Sequence, residues 1–184
     1  MYICRKFEMQ EMRLEFEIDK LTRSIEDAVT GDILSTDIFP FEKNDLSQIT
    51  KKMGWKFNWK KEFSGADKQV FKLVVVQQPS VIQGLVCLSD MPDHVFMPLI
   101  ETAPHKFGKT KKYVGVPGNL VAFVCKRSFE LGFDGYVAFI PKTKLIAHYE
   151  KTLGAVLFGN RMFIQTQAAI NLIGQYYPDF FTSK

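Results

Sequence analysis

The stretch LIETAPHKFGKTKKYVGVPGNLVAFVCKRSFEL, residues 99–131, decides the predicted fold. Its pattern predicts an apolar strand that ends near Ala103, a glycine-bearing loop, and a helix that begins at Asn119. Glycine lets the backbone approach a ligand closely, and the first turn of a helix presents unpaired N–H groups and a positive dipole end to an anion. Four lysines add positive charge to the loop: Lys106, Lys109, Lys111 and Lys112. This order favours a loop that binds phosphate groups, and an ordinary surface loop is the alternative.

The composition is typical of a folded protein with one domain over residues 1–184. Of the 184 residues, 46% are hydrophobic and 24% are charged, which argues against disorder. No apolar run approaches the roughly 18 residues of a membrane span, and residues 1–10 lack the apolar segment of a secretory signal. We therefore predict a cytoplasmic protein that does not enter a membrane.

Charge, cysteines and motifs narrow the class of function. The net charge of +4 suits an anionic ligand or a nucleic acid. Cys4, Cys87 and Cys125 share no metal-ligand spacing, so we predict reduced structural thiols and expect no metal. The chain lacks Gly-x-Ser-x-Gly, His-Glu-x-x-His, Cys-x-x-Cys and P-loop motifs. Serine hydrolases, zinc enzymes and P-loop enzymes thus lose their main sequence support.

The sequence predicts a strand and two short helices in the N-terminal part of the chain. Residues 12–21 alternate apolar with polar side chains, which is typical of a half-buried strand. Residues 24–29 predict a short helix, and a second helix capped by Asn44 or Asp45 is expected to end at Gly54.

Aromatic and polar side chains alternate over residues 55–60. The alternation predicts a strand with its rings in the core. Aromatic residues interleaved with lysines also suit base stacking beside phosphate contacts, so a nucleic-acid surface is the less favoured interpretation.

Two apolar strands, 70–77 and 81–89, are predicted to pair antiparallel through a link at residues 78–80. Residues 95–103 form the next strand, and Pro98 within it predicts a bulge or a splayed edge that leaves a cleft.

The C-terminal part alternates helices and strands. The pattern predicts a helix at 119–131, a strand at 135–141 parallel to its predecessor, a helix from Thr143 to Leu153, a strand at 155–164 broken at 158–160, and a closing helix at 166–177.

This order of elements resembles the GCN5-related N-acetyltransferases, the GNAT superfamily. The resemblance is carried by the segments IETAP (100–104), YVGVPG (113–118) and HYEKTLGA (148–155), the last of which is similar to the family's FYEKLGF segment. The family's loop pattern is Gln/Arg-x-x-Gly-x-Gly/Ala, whereas this chain has Lys112, Gly115 and Pro117 at the defined positions. Pro117 has no N–H, so one pyrophosphate donor of the family's loop is missing.

The resemblance implies an α/β (α+β) fold: a mixed, mostly antiparallel central sheet with a splayed parallel pair and helices on both faces. It implies acetyl-CoA as co-substrate, no metal, and a primary amine on a small molecule or peptide as acceptor. It also implies a set of cofactor-binding residues: Thr102, Ala103, Lys112, Tyr113, Val114, Gly115, Val116, Gly118 and Asn119.

Two residues are implied in catalysis. Glu101 is the candidate base for the attacking ammonium, with a salt bridge to a loop lysine as the alternative. Tyr149 is the candidate acid for the leaving thiolate, with a core ring as the alternative. The predicted function is an N-acetyltransferase that works by direct attack in a ternary complex. The alternative is a catalytically silent GNAT-like module that binds an acyl-CoA or a protein partner, and a homodimer is left open.

Overall fold

The computed structural model describes residues 13–104 and 112–182. The strands in these ranges are β1 (Ile25–Asp27), β2 (Ile33–Leu34), β3 (Thr36–Pro40), β4 (Gln69–Val75), β5 (Gln78–Asp90), β6 (Val95–Thr102), β7 (Tyr113–Val114), β8 (Val137–Phe139), β9 (Val156–Phe158) and β10 (Arg161–Ile164). The α-helices in the same ranges are α1 (Trp59–Phe63), α2 (Val116–Glu130), α3 (Ile146–Leu153) and α4 (Thr166–Tyr176). Short 3₁₀ turns lie at Lys43–Gln48, Lys51–Met53 and Thr143–Leu145.

The main sheet has seven strands in the order β3-β4-β5-β6-β8-β10-β9. Its neighbours are antiparallel except β6 and β8, which run parallel. A smaller sheet has the order β2-β1-β7. The predicted mixed sheet with one parallel pair is confirmed.

The parallel pair opens at Pro98. Cys87 lies opposite Leu99 and Ser89 lies opposite Phe96, so two residues of β6 face one residue of β5 at this point. This is the register shift of a β-bulge, which Pro98 favours because it cannot donate to the ladder. β6 pairs with β8 only at Val95 and Phe96, and beyond them the two strands separate.

Helices cover both faces of the sheet. A side chain at Gly84 would meet Val116 and Leu120 of α2, whereas the thiol of Cys87 lies 3.8 Å from the carboxylate of Glu62 in α1. Residues 84 and 87 are an odd number of positions apart in β5, so they point to opposite faces. The predicted helices on both faces are therefore confirmed.

Three predicted elements are wrong. The described part of the predicted strand at 12–21 is irregular chain with one isolated bridge, Leu14 to Pro141, because its backbone bonds go mainly to side chains of other elements. Residues 24–29 hold β1 rather than a helix, because Ile25–Asp27 pairs with both β2 and β7. Residues 55–60 hold a turn and the start of α1 rather than a strand, because the side chain of Asn58 accepts a hydrogen bond from the Lys61 amide and caps a helix. Trp55 and Trp59 are buried all the same, as predicted for core rings.

Several boundaries also differ from the predictions. The turn between β4 and β5 lies at residues 76–77, and residues 78–80 already belong to β5. The predicted helix before Gly54 is two 3₁₀ turns. α2 begins at Val116 rather than Asn119, because Gly115 takes the left-handed conformation (φ +88°) and serves as its N-cap.

The remaining elements of the second half agree with the predictions. α4 and the hairpin of β9 and β10 lie where they were expected, and Gly154 ends α3 in the left-handed conformation. None of the described helices is long and apolar enough to cross a membrane. Cys4, Met12, Lys106, Lys109 and Lys111 lie outside the described residues.

Candidate active site

A cavity of about 490 Å³ opens where β6 separates from β8. One wall is the end of β6 with the residues after it, 100–104, and the start of α2 contributes residues 116 and 117. Residues 112 and 113 lie beside them, and residues 15–17 form the opposite wall. Gly54, Lys56 and Phe57 close the remaining side. The cavity lies beyond the bulge at Pro98, where β6 no longer pairs with β8.

The backbone of β6 presents one amide to the cavity. The amide of Ala103 donates to the carbonyl of Gln83 on β5 at 2.9 Å. Amides alternate between the two edges of a strand, so the amide of Thr102 points to the opposite edge, toward the space that β8 has left. Of these two predicted cofactor-binding residues, Ala103 thus has its amide bonded to β5, whereas the amide of Thr102 faces the cavity.

Glu101 is a buried carboxylate in the wall of the cavity. One oxygen accepts a hydrogen bond from the backbone amide of Lys56, and the other accepts one from the indole N–H of Trp59, both at 2.7 Å. These donors are neutral, and within the described residues no lysine ammonium pairs with Glu101. The carboxylate is held in one orientation by groups from the α1 side of the sheet.

Tyr149 lies outside the lining of the cavity. Its side chain is fully buried, and its ring packs against Phe16 and Phe139 at centroid distances of 4.9 and 5.2 Å. The hydroxyl donates to the carbonyl of Phe16 at 2.7 Å and accepts from the amide of Phe16 at 3.2 Å. Burial raises the pKa of this hydroxyl to about 12. Phe16 lines the cavity, so it stands between the cavity and the hydroxyl of Tyr149.

The N-terminus of α2 is occupied by a carboxylate of the chain itself. The amide of Gly115 donates to Oδ1 of Asp19 at 3.0 Å. Val116 and Pro117 line the cavity, and Pro117 stands at a helix start, where a missing N–H costs nothing. A side chain at Gly118 would collide with the hydroxyl of Tyr176, which places this glycine against α4.

Asn119 and Val114 have structural partners. The amide of Asn119 donates to the carbonyl of Gly115 at 3.0 Å, and its side chain donates to the hydroxyl of Thr36 at 2.8 Å. Val114 pairs with Glu26 in the small sheet.

Six of the predicted site residues therefore share the cavity wall: Glu101, Thr102, Ala103, Lys112, Tyr113 and Val116. Five others lie outside it: Val114, Gly115, Gly118, Asn119 and Tyr149.

Residues of the other walls were not predicted as part of the site. The alternation over residues 12–21 correctly placed Leu14, Phe16 and Ile18 in the interior. Nothing in that pattern indicated that this segment faces β6 across the open pair. Lys56 and Phe57 were assigned to a strand, and their place at the cavity follows from the turn before α1.

Comparison with known proteins gives matches among solved structures. No protein-family model and no curated protein sequence matches the chain. A mutant of the spermidine N-acetyltransferase SpeG from Vibrio cholerae is 16% identical to it, and the alignment covers 74% of this chain and 96% of that one with a TM-score of 0.50. Other mutant forms of the spermidine/spermine N-acetyltransferase SpeG from Vibrio cholerae give the same identity, coverage and TM-score. The protein has the GNAT fold.

In this GNAT fold the cavity lies at the separation of the parallel pair, and Glu101 stands on the strand that precedes the glycine loop. At 16% identity the similarity concerns the arrangement of helices and strands. Within residues 13–104 and 112–182, no three His, Cys, Asp or Glu side chains lie close enough together to hold a metal ion.

Proposed function

We propose that the protein is an acetyl-CoA-dependent N-acetyltransferase that acts on a primary amine of a small molecule or peptide. The observation that carries the proposal is the position of Glu101, a buried carboxylate in the wall of the cavity at the open parallel pair of a GNAT fold. Two solved structures with this fold are named for the acetylation of spermidine, a molecule with primary amines.

The residues of the cavity fit the acyl end of acetyl-CoA. When bound, acetyl-CoA supplies an activated acetyl carbonyl on a thioester. The amide of Thr102 faces the cavity and would donate a hydrogen bond to the carbonyl oxygen, whose negative charge grows as the amine attacks. Lys112, in the same wall, adds positive charge for the phosphate end of the molecule. The amide of Gly115, by contrast, already has the carboxylate of Asp19 as its partner.

Glu101 would remove the proton that an attacking ammonium must lose, directly or through a water molecule. Its two hydrogen bonds, from Lys56 and Trp59, hold the carboxylate toward the α1 side, so we expect the acceptor amine to approach from there. Tyr149 would protonate the leaving thiolate. Its proton is donated to the carbonyl of Phe16, so this role requires that bond to break.

One observation favours a second candidate function. The carboxylate of Asp19 on the Gly115 amide and the missing N–H of Pro117 both reduce what α2 offers to a diphosphate. A GNAT-fold module without turnover, which binds an acyl-CoA or a protein partner, fits these two features.

Thermal unfolding with and without acetyl-CoA tests the proposal, followed by an acetylation assay with a panel of primary amines that includes spermidine. Acetyl-CoA at about 100 times its dissociation constant should stabilise the protein by roughly 2.7 kcal/mol, a rise in Tm of about 5–10 °C. Thiol release with at least one amine would establish the enzyme. A rise in Tm without thiol release would favour a silent module that binds acyl-CoA. No rise in Tm would contradict the enzyme and favour a silent module that binds a protein partner.

A further inference from the structure

The segment of residues 13–22, which we call the strap, runs through the space between the separated strands and onto the start of α2. At its beginning, the amide of Leu14 donates to the carbonyl of Ile140 at 2.6 Å, and the amide of Lys142 donates to the carbonyl of Leu14 at 3.0 Å. These bonds join the strap to the chain just after β8. Beyond Phe96, β6 no longer pairs with the chain that contains β8, and Leu14 pairs with that chain instead.

The middle of the strap is bonded to α3. Phe16 exchanges two hydrogen bonds with the hydroxyl of Tyr149, and the amide of Ile18 donates to Nε2 of His148 at 2.9 Å. Leu14, Phe16 and Ile18 are buried, while Arg13, Glu15 and Glu17 are exposed. The strap thus buries one row of side chains, with Phe16 packed against Phe139 of β8 and Tyr149 of α3, and leaves the other row exposed.

The end of the strap lies against the start of α2 and the end of α4. Oδ1 of Asp19 accepts from the amide of Gly115 at 3.0 Å, and the amide of Thr22 donates to the hydroxyl of Tyr176 at 3.0 Å. A carboxylate at this place has the charge and the hydrogen-bonding capacity of a phosphate oxygen. Asp19 is therefore in the position of an anionic ligand of the helix.

We propose that the strap is an autoinhibitory segment. To bind, an acyl-CoA must displace the strap from the groove between β6, β8 and the start of α2. The inference rests on the proposed function, because it assumes that an acyl-CoA binds between β6, β8 and the start of α2. With the strap in place, the Gly115 amide is occupied by Asp19 and the Tyr149 hydroxyl is occupied by Phe16. One segment therefore occupies both groups: the Gly115 amide, which is implied in phosphate binding, and the Tyr149 hydroxyl, which is implied in protonation of the thiolate.

Displacement of the strap would break no ladder of the main sheet, because residues 13–22 form none of its strands. Its backbone pairing with the chain that follows β8 is a single parallel bridge, Leu14 to Pro141, rather than a continuous ladder. Displacement would also expose Leu14, Phe16 and Ile18, which are buried in the main core, so the binding of acyl-CoA must offset the loss of these contacts. An equilibrium between strap-bound and strap-free protein lowers the apparent affinity for acyl-CoA in proportion to the strap-free fraction.

Hydrogen exchange of the intact protein with and without CoA tests displacement. CoA carries the phosphates and the thiol but no acetyl group, so binding is separated from chemistry. We expect saturating CoA to accelerate exchange at the amides of Phe16, Ile18 and Thr22, while the amides of β4 and β5 stay protected. Unchanged or slower exchange in the strap at saturating CoA would overturn the inference and make the strap a permanent wall.

A charge variant provides an independent test. Asp19→Asn keeps the shape of the side chain and removes its charge, so it should weaken the strap's hold on α2. We expect CoA to bind about two- to fivefold more tightly, the effect of one charge near a helix N-terminus. Asp67→Asn, at an exposed position away from the groove, is the matched control for net charge and should leave affinity unchanged. If the Asp19 variant and the unaltered protein bind CoA with equal affinity, Asp19 does not compete with CoA for the start of α2, and the inference is overturned.

The two proposals fail in different ways. Acetyl transfer with no change of exchange in the strap contradicts autoinhibition and leaves the enzyme proposal intact. Displacement of the strap by CoA without acetyl transfer to any amine supports the autoinhibitory role of the strap and contradicts the proposed acetyltransferase activity. Absence of CoA binding to both the unaltered protein and Asp19→Asn overturns both.

Discussion

The hydroxyl of Tyr149 and the backbone of Phe16 form two hydrogen bonds, one to the carbonyl at 2.7 Å and one from the amide at 3.2 Å. The residues are 133 positions apart in the sequence. The pair ties helix α3 to the segment that lines the cavity, and it satisfies both backbone groups of Phe16 in the interior. Tyr149 thus has a structural partner in addition to its proposed role in proton transfer.

Tyr149→Phe should destabilise the protein, because it leaves the carbonyl and the amide of Phe16 buried without a partner. We expect a loss of about 1–3 kcal/mol in the free energy of unfolding, measured by urea titration. Turnover should fall while the affinity for acetyl-CoA is not reduced. Tyr136→Phe, at an exposed tyrosine, is the control and should change stability by less than about 0.5 kcal/mol. Full turnover of Tyr149→Phe would remove this hydroxyl from the mechanism.

Glu101→Gln should lower both stability and turnover. The carboxylate accepts hydrogen bonds from two donors, the Lys56 amide and the Trp59 indole N–H. The side-chain amide of Gln would place its own NH₂ group, also a donor, against one of them. We expect a loss of about 1–3 kcal/mol in stability and about 100-fold or more in turnover. Glu130→Gln, at an exposed helical position beside Lys126, is the matched control and should cost no more than about 1 kcal/mol. A Glu101 variant that keeps its turnover would exclude the carboxylate as the base.

Gly115→Ala should destabilise the protein more than Gly31→Ala does. Both glycines have positive φ, +88° and +76°, so each substitution has a backbone cost of about 1–2 kcal/mol. At Gly115 the new methyl group would collide with Thr22 at the end of the strap, whereas at Gly31 it meets no atom within 4 Å. The difference between the two variants in thermal unfolding measures the contact of the strap with α2. Equal losses would show that the contact has no influence on stability.

The thiols of Cys87 and Cys125 should not react with iodoacetamide in the native protein. Burial raises the pKa of the Cys87 thiol to about 12, and burial likewise raises the pKa of Cys125. Alkylation of native protein near pH 8, followed by mass spectrometry, should leave both residues unmodified, while alkylation in urea should modify both. Rapid modification of either thiol under native conditions would contradict its burial.

Stability should decrease in alkaline solution. The folded-state pKa of Tyr149 and of Cys87 is raised by burial to about 12, above their ordinary values of 10.0 and 9.0. The unfolded chain therefore releases these protons first, and the free energy of unfolding falls as pH rises between about 9 and 12. Urea titrations across this range measure the slope, and Tyr149→Phe should reduce it. A stability that stays constant up to pH 11 would contradict the raised pKa values.

Local sequence patterns predicted those elements whose stability comes from their own neighbours. The apolar runs of β4 and β5 and the apolar face of α2 were sufficient to predict these elements. The pattern failed at residues 24–29, where pairing with β2 and β7 makes a strand of a sequence that suits a short helix. It failed again at residues 55–60, where the cap at Asn58 overrides the alternation.

By itself, the sequence predicted the strands β4 to β6, the helices and strands from α2 to α4, and a glycine-bearing loop before α2. It also predicted a bulge or a splayed edge at Pro98, and a burial pattern for residues 12–21 in which the apolar side chains face inward. It did not predict β3, the strand at one edge of the main sheet. The predicted features depend on periodicity, on the missing N–H of proline and on the freedom of glycine at positive φ. Only the tertiary structure decided that residues 13–22 lie in the open parallel pair, that Asp19 occupies the amide of Gly115, and that Tyr149 is bonded to Phe16. The physical reason is distance along the chain, since these contacts join segments about a hundred or more residues apart, and no local pattern records which segment fills a space that the fold opens.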